Sequence, residues 1–224
     1  MTVWGLTRGK KMQENIDVYW SFRSPYSYLV TADLLRLRDD YDVLIQLRIV
    51  YPIAIREPGL VFDNRKKPAY IGLDSRRRAE FLGLPFRLPA RPDPVVQDRE
   101  TLSIAKDQPY IYRLSGLGIE AQRRGRGLEY VHEVSSLIFG GTDGWDQGEH
   151  LKAAVARAGL DLAELDRALE GGDQLQEVEE NQRALAQAGH WGVPTMVVRG
   201  EPFFGQDRIE TLRWRLDQFG LAKS

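Results

Sequence analysis

The hydrophobic pattern changes period along the chain. Between Ile16 and Phe22, the apolar residues Ile16, Val18, Trp20 and Phe22 alternate with Asp17, Tyr19 and Ser21, the period of a strand. From Pro25 to about Arg38, Leu29, Ala32, Leu34 and Leu35 recur at helical spacing. Tyr41-Asp42 breaks the pattern, and Val43, Ile45, Leu47 and Ile49 alternate again before Pro52. Strand, helix and strand in that order predict a βαβ unit with parallel strands and a right-handed crossover.

Alternation then disappears. Glu57 to Lys67 reads as a polar loop containing Pro58 and Gly59. Helices are predicted over Lys67–Leu82, Thr101–Leu114, Gly118–Phe139, Glu149–Ala158, Leu162–Leu169 and Gln174–Ala188. Gly83-Leu84-Pro85 and the prolines Pro89, Pro92 and Pro94 make an extended connector between the first two. Strand character returns over Thr195–Arg199, followed by a two-residue turn at Gly200-Glu201 and a partner strand at Pro202–Phe204. Gln206-Asp207 opens a final helix with Ile209, Leu212, Leu216 and Phe219 on one face. The expected organisation is a flexible extension over residues 1–15, one α/β unit from residues 16–56 and 189–224, and an inserted helical domain over residues 57–188.

Composition narrows the chemistry. Across 224 residues the formal net charge is −1, so no global field favours nucleic acid or an anionic membrane. The clusters Arg76-Arg77-Arg78 and Arg123-Arg124-Gly125-Arg126 read as solvated helix faces or small-anion sites. There is no cysteine, which excludes disulfides, thiolate metal sites and a protein-borne thiol redox cycle. His132, His150 and His190 have no ligand spacing, so no metal is expected. No apolar run approaches the ~20 residues of a membrane span. Met1 to Asn15 lacks the apolar segment of a secretory signal, so a cytoplasmic enzyme is expected.

The chemistry centres on Ser24-Pro25-Tyr26-Ser27-Tyr28-Leu29. Serine is a preferred N-cap, and proline suits the first helical position because its missing N–H costs nothing there. A capped helix that follows a strand offers backbone donors and the positive dipole end to an anion. Ser24 alone reads as a cap, and Asp207 alone as a helix-start carboxylate favourable against the dipole.

This stretch resembles the S-P-[FY]-S-[YW]-L signature of the DsbA-like group, above all the 2-hydroxychromene-2-carboxylate isomerases and kappa-class glutathione transferases. Gly192-Val193-Pro194-Thr195 is similar to their G-V-P-T, whose proline is cis. Phe203-Phe204-Gly205-Gln206-Asp207-Arg208 resembles their aromatic-aromatic-G-[NQS]-D-R segment, Lys67-Pro68-Ala69-Tyr70 their K-x-x-Y, and Gly83-Leu84-Pro85 their G-[IV]-P. The motifs run in order from about Ile16 to Phe219. The resemblance implies a thioredoxin-like α/β fold (βαβ…ββα) with a large helical insertion.

It also implies a bound glutathione. Ser24 would hold the thiolate, and Val193 and Pro194 would meet the cysteinyl backbone. Asp207 with Gln206 would take the γ-glutamyl end, and Lys67 with Asn64 the glycyl carboxylate. The thiolate would add to an unsaturated carbon of a small aromatic or electrophilic substrate, permit ring opening and rotation, and leave. A homodimer is implied as well. The chain departs from the D-x-x-R-W pattern of relatives, with Arg78 in place of the tryptophan after Asp74-Ser75-Arg76-Arg77. Tyr110, Tyr112 and Trp145 are candidates for a ring pocket or for core packing. Two other readings stay open: a kappa-like transferase or peroxidase that consumes glutathione, and a thiol-free binding scaffold.

Overall fold

The computed structural model describes residues 13–57, 66–89, 92–98, 100–101 and 103–223, with the backbone alone for 66–68. The expected flexible extension falls largely on residues 1–12, outside the described residues, and so does the candidate ligand Asn64. Strand β1 (Glu14–Trp20) begins at Glu14 rather than Ile16, because Glu14 already pairs with Val43. Helix α1 (Pro25–Asp40) crosses back to β2 (Val43–Ile49), which runs parallel to β1. Near the other end come β3 (Thr195–Val198) and β4 (Glu201–Phe204), both antiparallel to their neighbours. The four-stranded sheet has the order β2-β1-β3-β4. This is the predicted thioredoxin-like α/β frame.

The turn between β3 and β4 is Arg199-Gly200, one position earlier than the alternation implied, since Val198 pairs with Glu201. Both turn residues have positive φ, 50° and 80°. That is the backbone of a type I′ turn, whose twist suits a tight hairpin. After β4 a single 3₁₀ turn (Gln206–Arg208) precedes the last helix, so Gln206-Asp207 stands ahead of the α-helix rather than inside it.

Between β2 and β3 the regular elements of the described chain are helices, joined by loops. Short α2 (Ile53–Arg56), not predicted, follows Pro52, and α3 (Lys66–Leu82) follows it. The predicted helix over Thr101–Leu114 is helical only from Ile111 among the described residues, and the one over Gly118–Phe139 is divided between two helices. Buried Gln108 explains the first difference. Its side-chain amide donates to the carbonyls of Val96 and Ala105 and accepts from the Val96 N–H. It holds that stretch as a loop, and α4 starts only at Ile111. Gly125 explains the second. Its φ of 70° ends α4 at Arg123, with Arg126 N–H closing back onto Ala121 O, and α5 (Gly127–Phe139) begins afresh. This is the glycine C-terminal stop of a helix.

α6 (His150–Arg157), α7 (Leu162–Leu169) and α8 (Gln174–Gln187) match the predicted helices closely, and α9 (Ile209–Gln218) ends the fold. α1 packs on α5, and α4 packs on α5, α7, α8 and β2. The insertion and the sheet share one apolar core, which runs from Ile16, Val18 and Trp20 through Ile49 and Leu117 to Val131 and Leu165. Gly118 lets α4 approach closely: a Cβ there would lie 3.0 Å from Ile49 Cγ1. Tyr19, Val50 and Leu185 form a second cluster on the other face of the sheet.

The outer edge of β2 is sealed by side-chain amides from the insertion. Leu47 N–H donates to Gln122 Oε1, Ile49 O accepts from Asn181 Nδ2, and Tyr51 N–H donates to Gln182 Oε1. An unpaired edge would be a template for association. Here it is satisfied within the chain.

Candidate active site

Four segments converge at one end of the sheet: the start of α1, the entry to β3, the turn after β4, and one face of α3. Ser24 has extended backbone, φ −91° and ψ 112°, and caps α1 through its side chain. Its Oγ accepts from the Ser27 N–H at 3.2 Å. Pro25 has no N–H, and the Tyr28 N–H goes to Ser24 O. The Tyr26 N–H is left as the first-turn donor with no acceptor among the described residues. A helix end with one such donor is where an anion gains most from the dipole.

The Ser24 hydroxyl donates to the carbonyl of Val193 at 3.2 Å. The Val193–Pro194 bond is cis, as the motif implied, and this carbonyl faces the α1 N-terminus. Thr195 Oγ1 donates to Gly192 O at 2.8 Å and fixes the loop from within. Pro194 O accepts from Gly205 N–H at 2.9 Å, which brings the turn after β4 to the same place.

Glycine is required at two of these positions. Gly205 has φ 109°, and a Cβ would lie 2.6 Å from Asp207 Oδ1. The Asp207 carboxylate is thus folded over Gly205, while staying exposed, with Arg208 its one ion-pair partner among the described residues, at 3.5 Å. At Gly192 a Cβ would meet the Phe204 ring at 2.3 Å. Phe204 stacks on His190, centroids 4.0 Å apart, and His190 on Trp191 at 5.5 Å. Partial burial of His190 lowers its pKa, which favours a neutral ring, and its Nδ1 accepts from the Gly192 N–H.

Helix α3 closes the rim. The hydroxyl of Tyr26 donates to Asp74 Oδ2 at 2.8 Å, and Arg78 Nε donates to Gln206 Oε1 at 2.8 Å. Burial, reinforced by Asp74, raises the Tyr26 pKa well above the ordinary tyrosine value. Arg23 Nε and Nη2 hold Asp93 at 2.9 and 3.0 Å, and Nη2 also reaches Gln97 at 2.8 Å. This clamps the connector before α4 to the start of α1.

Of the residues singled out from the sequence, Ser24 meets Val193 directly, and Pro194 follows Val193 through the cis bond. Gln206 and Asp207 adjoin them through Gly205. Lys67 lies in the first turn of α3, where only the backbone is described, and Asn64 lies outside the described residues. Trp145 is a core residue: it is buried, packs edge-on to Tyr110 at 5.7 Å, and donates to Pro92 O. Tyr112 packs on Tyr51 at 5.2 Å. The motifs missed Arg78–Gln206, Tyr26–Asp74 and Arg23–Asp93. Asp74 and Arg78 are spaced one helical turn apart, the only sequence signal that both could face one partner surface. A groove of about 330 Å³ lined by Asp17, Tyr19, Arg48 and Glu177 involves none of the residues around Ser24.

Comparison with known proteins bears on the family and the fold. The DSBA-like thioredoxin domain family matches residues 15–217. A 2-hydroxychromene-2-carboxylate isomerase of Pseudomonas putida is 28% identical over 200 residues, spanning 87% of this chain and 90% of that protein. A second protein of that name, from Pseudomonas sp. (strain C18), is 26% identical over 203 residues, spanning 87% of this chain and 86% of its own length. A solved structure of a 2-hydroxychromene-2-carboxylate isomerase has a TM-score of 0.67 and 23% identity, covering 92% of this chain and 95% of that one. At that identity the structural likeness speaks for the fold.

Proposed function

The chain belongs to the DSBA-like thioredoxin domain family, and from that premise we propose that it is a glutathione-dependent isomerase. The proposed substrate is 2-hydroxychromene-2-carboxylate, interconverted with trans-o-hydroxybenzylidenepyruvate. The observation that carries this reading is the 3.2 Å contact between the Ser24 hydroxyl and Val193 O in a chain without cysteine. The thioredoxin frame is kept, but the helix start carries a hydroxyl and no thiol. The names of the two relatives point to the reaction.

The residues present fit glutathione by their donor chemistry. The α1 N-terminus offers the Tyr26 N–H and the Ser24 hydroxyl to an anion. Asp207 offers an exposed carboxylate to an ammonium. The cis peptide bond presents backbone beside the helix end. Val193, Pro194 and Gln206 would complete the cradle with Ser24 and Asp207, and Lys67 and Asn64 belong to the same proposal for the far carboxylate. When bound, glutathione supplies the thiolate nucleophile that this chain lacks.

Ser24 has one proton and spends it on Val193 O. To serve an anion, the hydroxyl must rotate and give up that neutral hydrogen bond, worth about 1 kcal/mol. A charge-assisted bond returns about 1.5–3 kcal/mol, and the helix dipole adds about 0.3–1 kcal/mol. The balance favours the anion by about 1–3 kcal/mol, or roughly one to two pKa units at 1.36 kcal/mol each. That shift would bring a thiol of ordinary pKa, ~8.5, close to neutrality. Ser24 also remains the cap, since its oxygen can keep accepting from Ser27 N–H while its proton moves.

The test pairs glutathione titration calorimetry with ultraviolet detection of substrate conversion. Binding, and loss of conversion in Ser24→Ala, are expected. No glutathione binding together with full activity of Ser24→Ala would sink the reading. Net loss of free thiol during turnover would replace it with a transferase. A homodimer in the cytoplasm belongs to the same reading.

A further inference from the structure

We propose that Arg78 is the anchor for the carboxylate of an acidic substrate at this site. The choice of substrate rests on the isomerase reading above. Of the three consecutive arginines on α3, Arg76 and Arg77 are exposed and Arg78 is half-buried. Arg77 leans towards Asp74 at 3.9 Å. Arg78 pairs with no carboxylate among the described residues, and its one hydrogen bond there runs from Nε to the neutral Gln206 Oε1. A cation partly withdrawn from water, with no counter-ion among the described residues, gains when an anion arrives.

The guanidinium is also oriented. One edge is held by Gln206 at 2.8 Å, and the Phe81 ring lies 4.9 Å from its Cζ. Neither terminal amino group has a hydrogen-bond partner among the described residues, and together they suit a fork-to-fork pair with a carboxylate, the geometry in which arginine is most selective. Its place follows from its partner. Gln206 immediately follows Gly205, whose N–H donates to Pro194 O, and the Val193 carbonyl across the cis bond accepts from Ser24. One turn earlier on α3, Asp74 holds Tyr26, the second residue after Ser24. Arg78 therefore stands on the rim of the Ser24 site. Its chemistry suits an organic acid and would disfavour the same ring without the acid group.

The probes are chromone-2-carboxylate, a non-hydrolysing ring acid, and its uncharged methyl ester, titrated at neutral pH with and without glutathione. The wild-type chain is expected to bind the acid at least tenfold more tightly than the ester. Arg78→Met, which keeps length without charge, should abolish that preference, and Arg78→Lys should restore part of it. Because Arg78 holds Gln206, glutathione affinity should fall no further in Arg78→Met than in Gln206→Ala. An equal wild-type affinity for acid and ester would overturn the proposal. So would Arg78→Met weakening both probes alike, which marks a structural link to Gln206. A fall in glutathione affinity beyond that of Gln206→Ala would assign the cation to a glutathione carboxylate instead and overturn it equally. Failure of the isomerase reading is seen separately, as absent glutathione binding or turnover, while the acid-over-ester preference is still measured.

Discussion

The Tyr26 hydroxyl and the Asp74 carboxylate lie 2.8 Å apart, and this bond ties the insertion to the first turn of α1. Burial and the adjacent carboxylate both favour the neutral phenol, so the Tyr26 pKa is raised in the folded state. A group with a raised folded-state pKa contributes stability that is complete below its unfolded value. That contribution is lost as pH climbs above the unfolded value, about 10 for tyrosine. Tyr19, Tyr28, Tyr41 and Tyr51 are shifted the same way, with burial the main cause. Tyr26→Phe should cost about 1 kcal/mol at neutral pH. Above pH ~10 it should make the fall in stability shallower by up to about 1.4 kcal/mol per pH unit. Urea unfolding from neutral to alkaline pH reads both effects, and an unchanged alkaline slope would refute the assignment.

Capping and anion binding at Ser24 can be separated with Ser24→Asp. Aspartate caps helices as well as serine does. Ser24→Asp should therefore lose about 1 kcal/mol, the bond its carboxylate cannot donate to Val193 O, whereas Ser24→Ala loses the cap as well, about 2 kcal/mol in all. The added carboxylate would repel a thiolate, so glutathione affinity should fall at least tenfold in Ser24→Asp. Calorimetry alongside thermal unfolding distinguishes the cases: a stable variant with undiminished affinity would leave Ser24 as a cap alone.

Gly205 is a point of strain for any side chain. With φ 109° and a Cβ only 2.6 Å from Asp207 Oδ1, Gly205→Ala must move the Asp207 carboxylate or the turn. The backbone cost alone is about 1–3 kcal/mol. Chemical denaturation should show that loss. Glutathione affinity should drop with it on the proposed role for Asp207, and a second variant, Asp207→Asn, should lower affinity with little loss of stability.

Arg23 fixes the connector with three hydrogen bonds, two to Asp93 and one to Gln97. The pair is partly exposed, 24% and 32%, so screening limits its worth to about 1 kcal/mol. Arg23→Ala should change global stability little and loosen residues 92–98 locally. Faster amide exchange at Val95 and Val96 is the expected signal, and protection equal to wild type would show that Gln108 alone holds the loop.

Much of the frame was legible because strand and helix periods are local. Ile16, Val18 and Trp20 announced the central strand, and Ile209, Leu212 and Leu216 the last helix. The stretch from Thr101 to Phe139 was not legible in detail. Its apolar residues suit a helix, but the buried amide of Gln108 holds a loop through Val96 and Ala105, and the φ of Gly125 breaks what periodicity joins. At the site, Ser24 and Val193-Pro194 could be read as motifs. Arg78 could only be read as a departure from a pattern. Its contact with Gln206 spans 128 positions and depends on how α3 crosses the frame.

The sheet order has a consequence for synthesis. β1 is central, but its partner β3 is made only after the whole helical insertion. A nascent chain on the ribosome can zip β1 to β2 and wrap helices around them. Through all that time one edge of β1 stays open, a delay of the kind that slows folding and exposes a chain to misassembly. The Ser24–Val193 contact spans 169 positions and forms after that edge is closed. The site is thus among the last things the ribosome makes possible, and a prematurely terminated chain lacking residues 193–207 would carry a complete helix start with no cleft beside it.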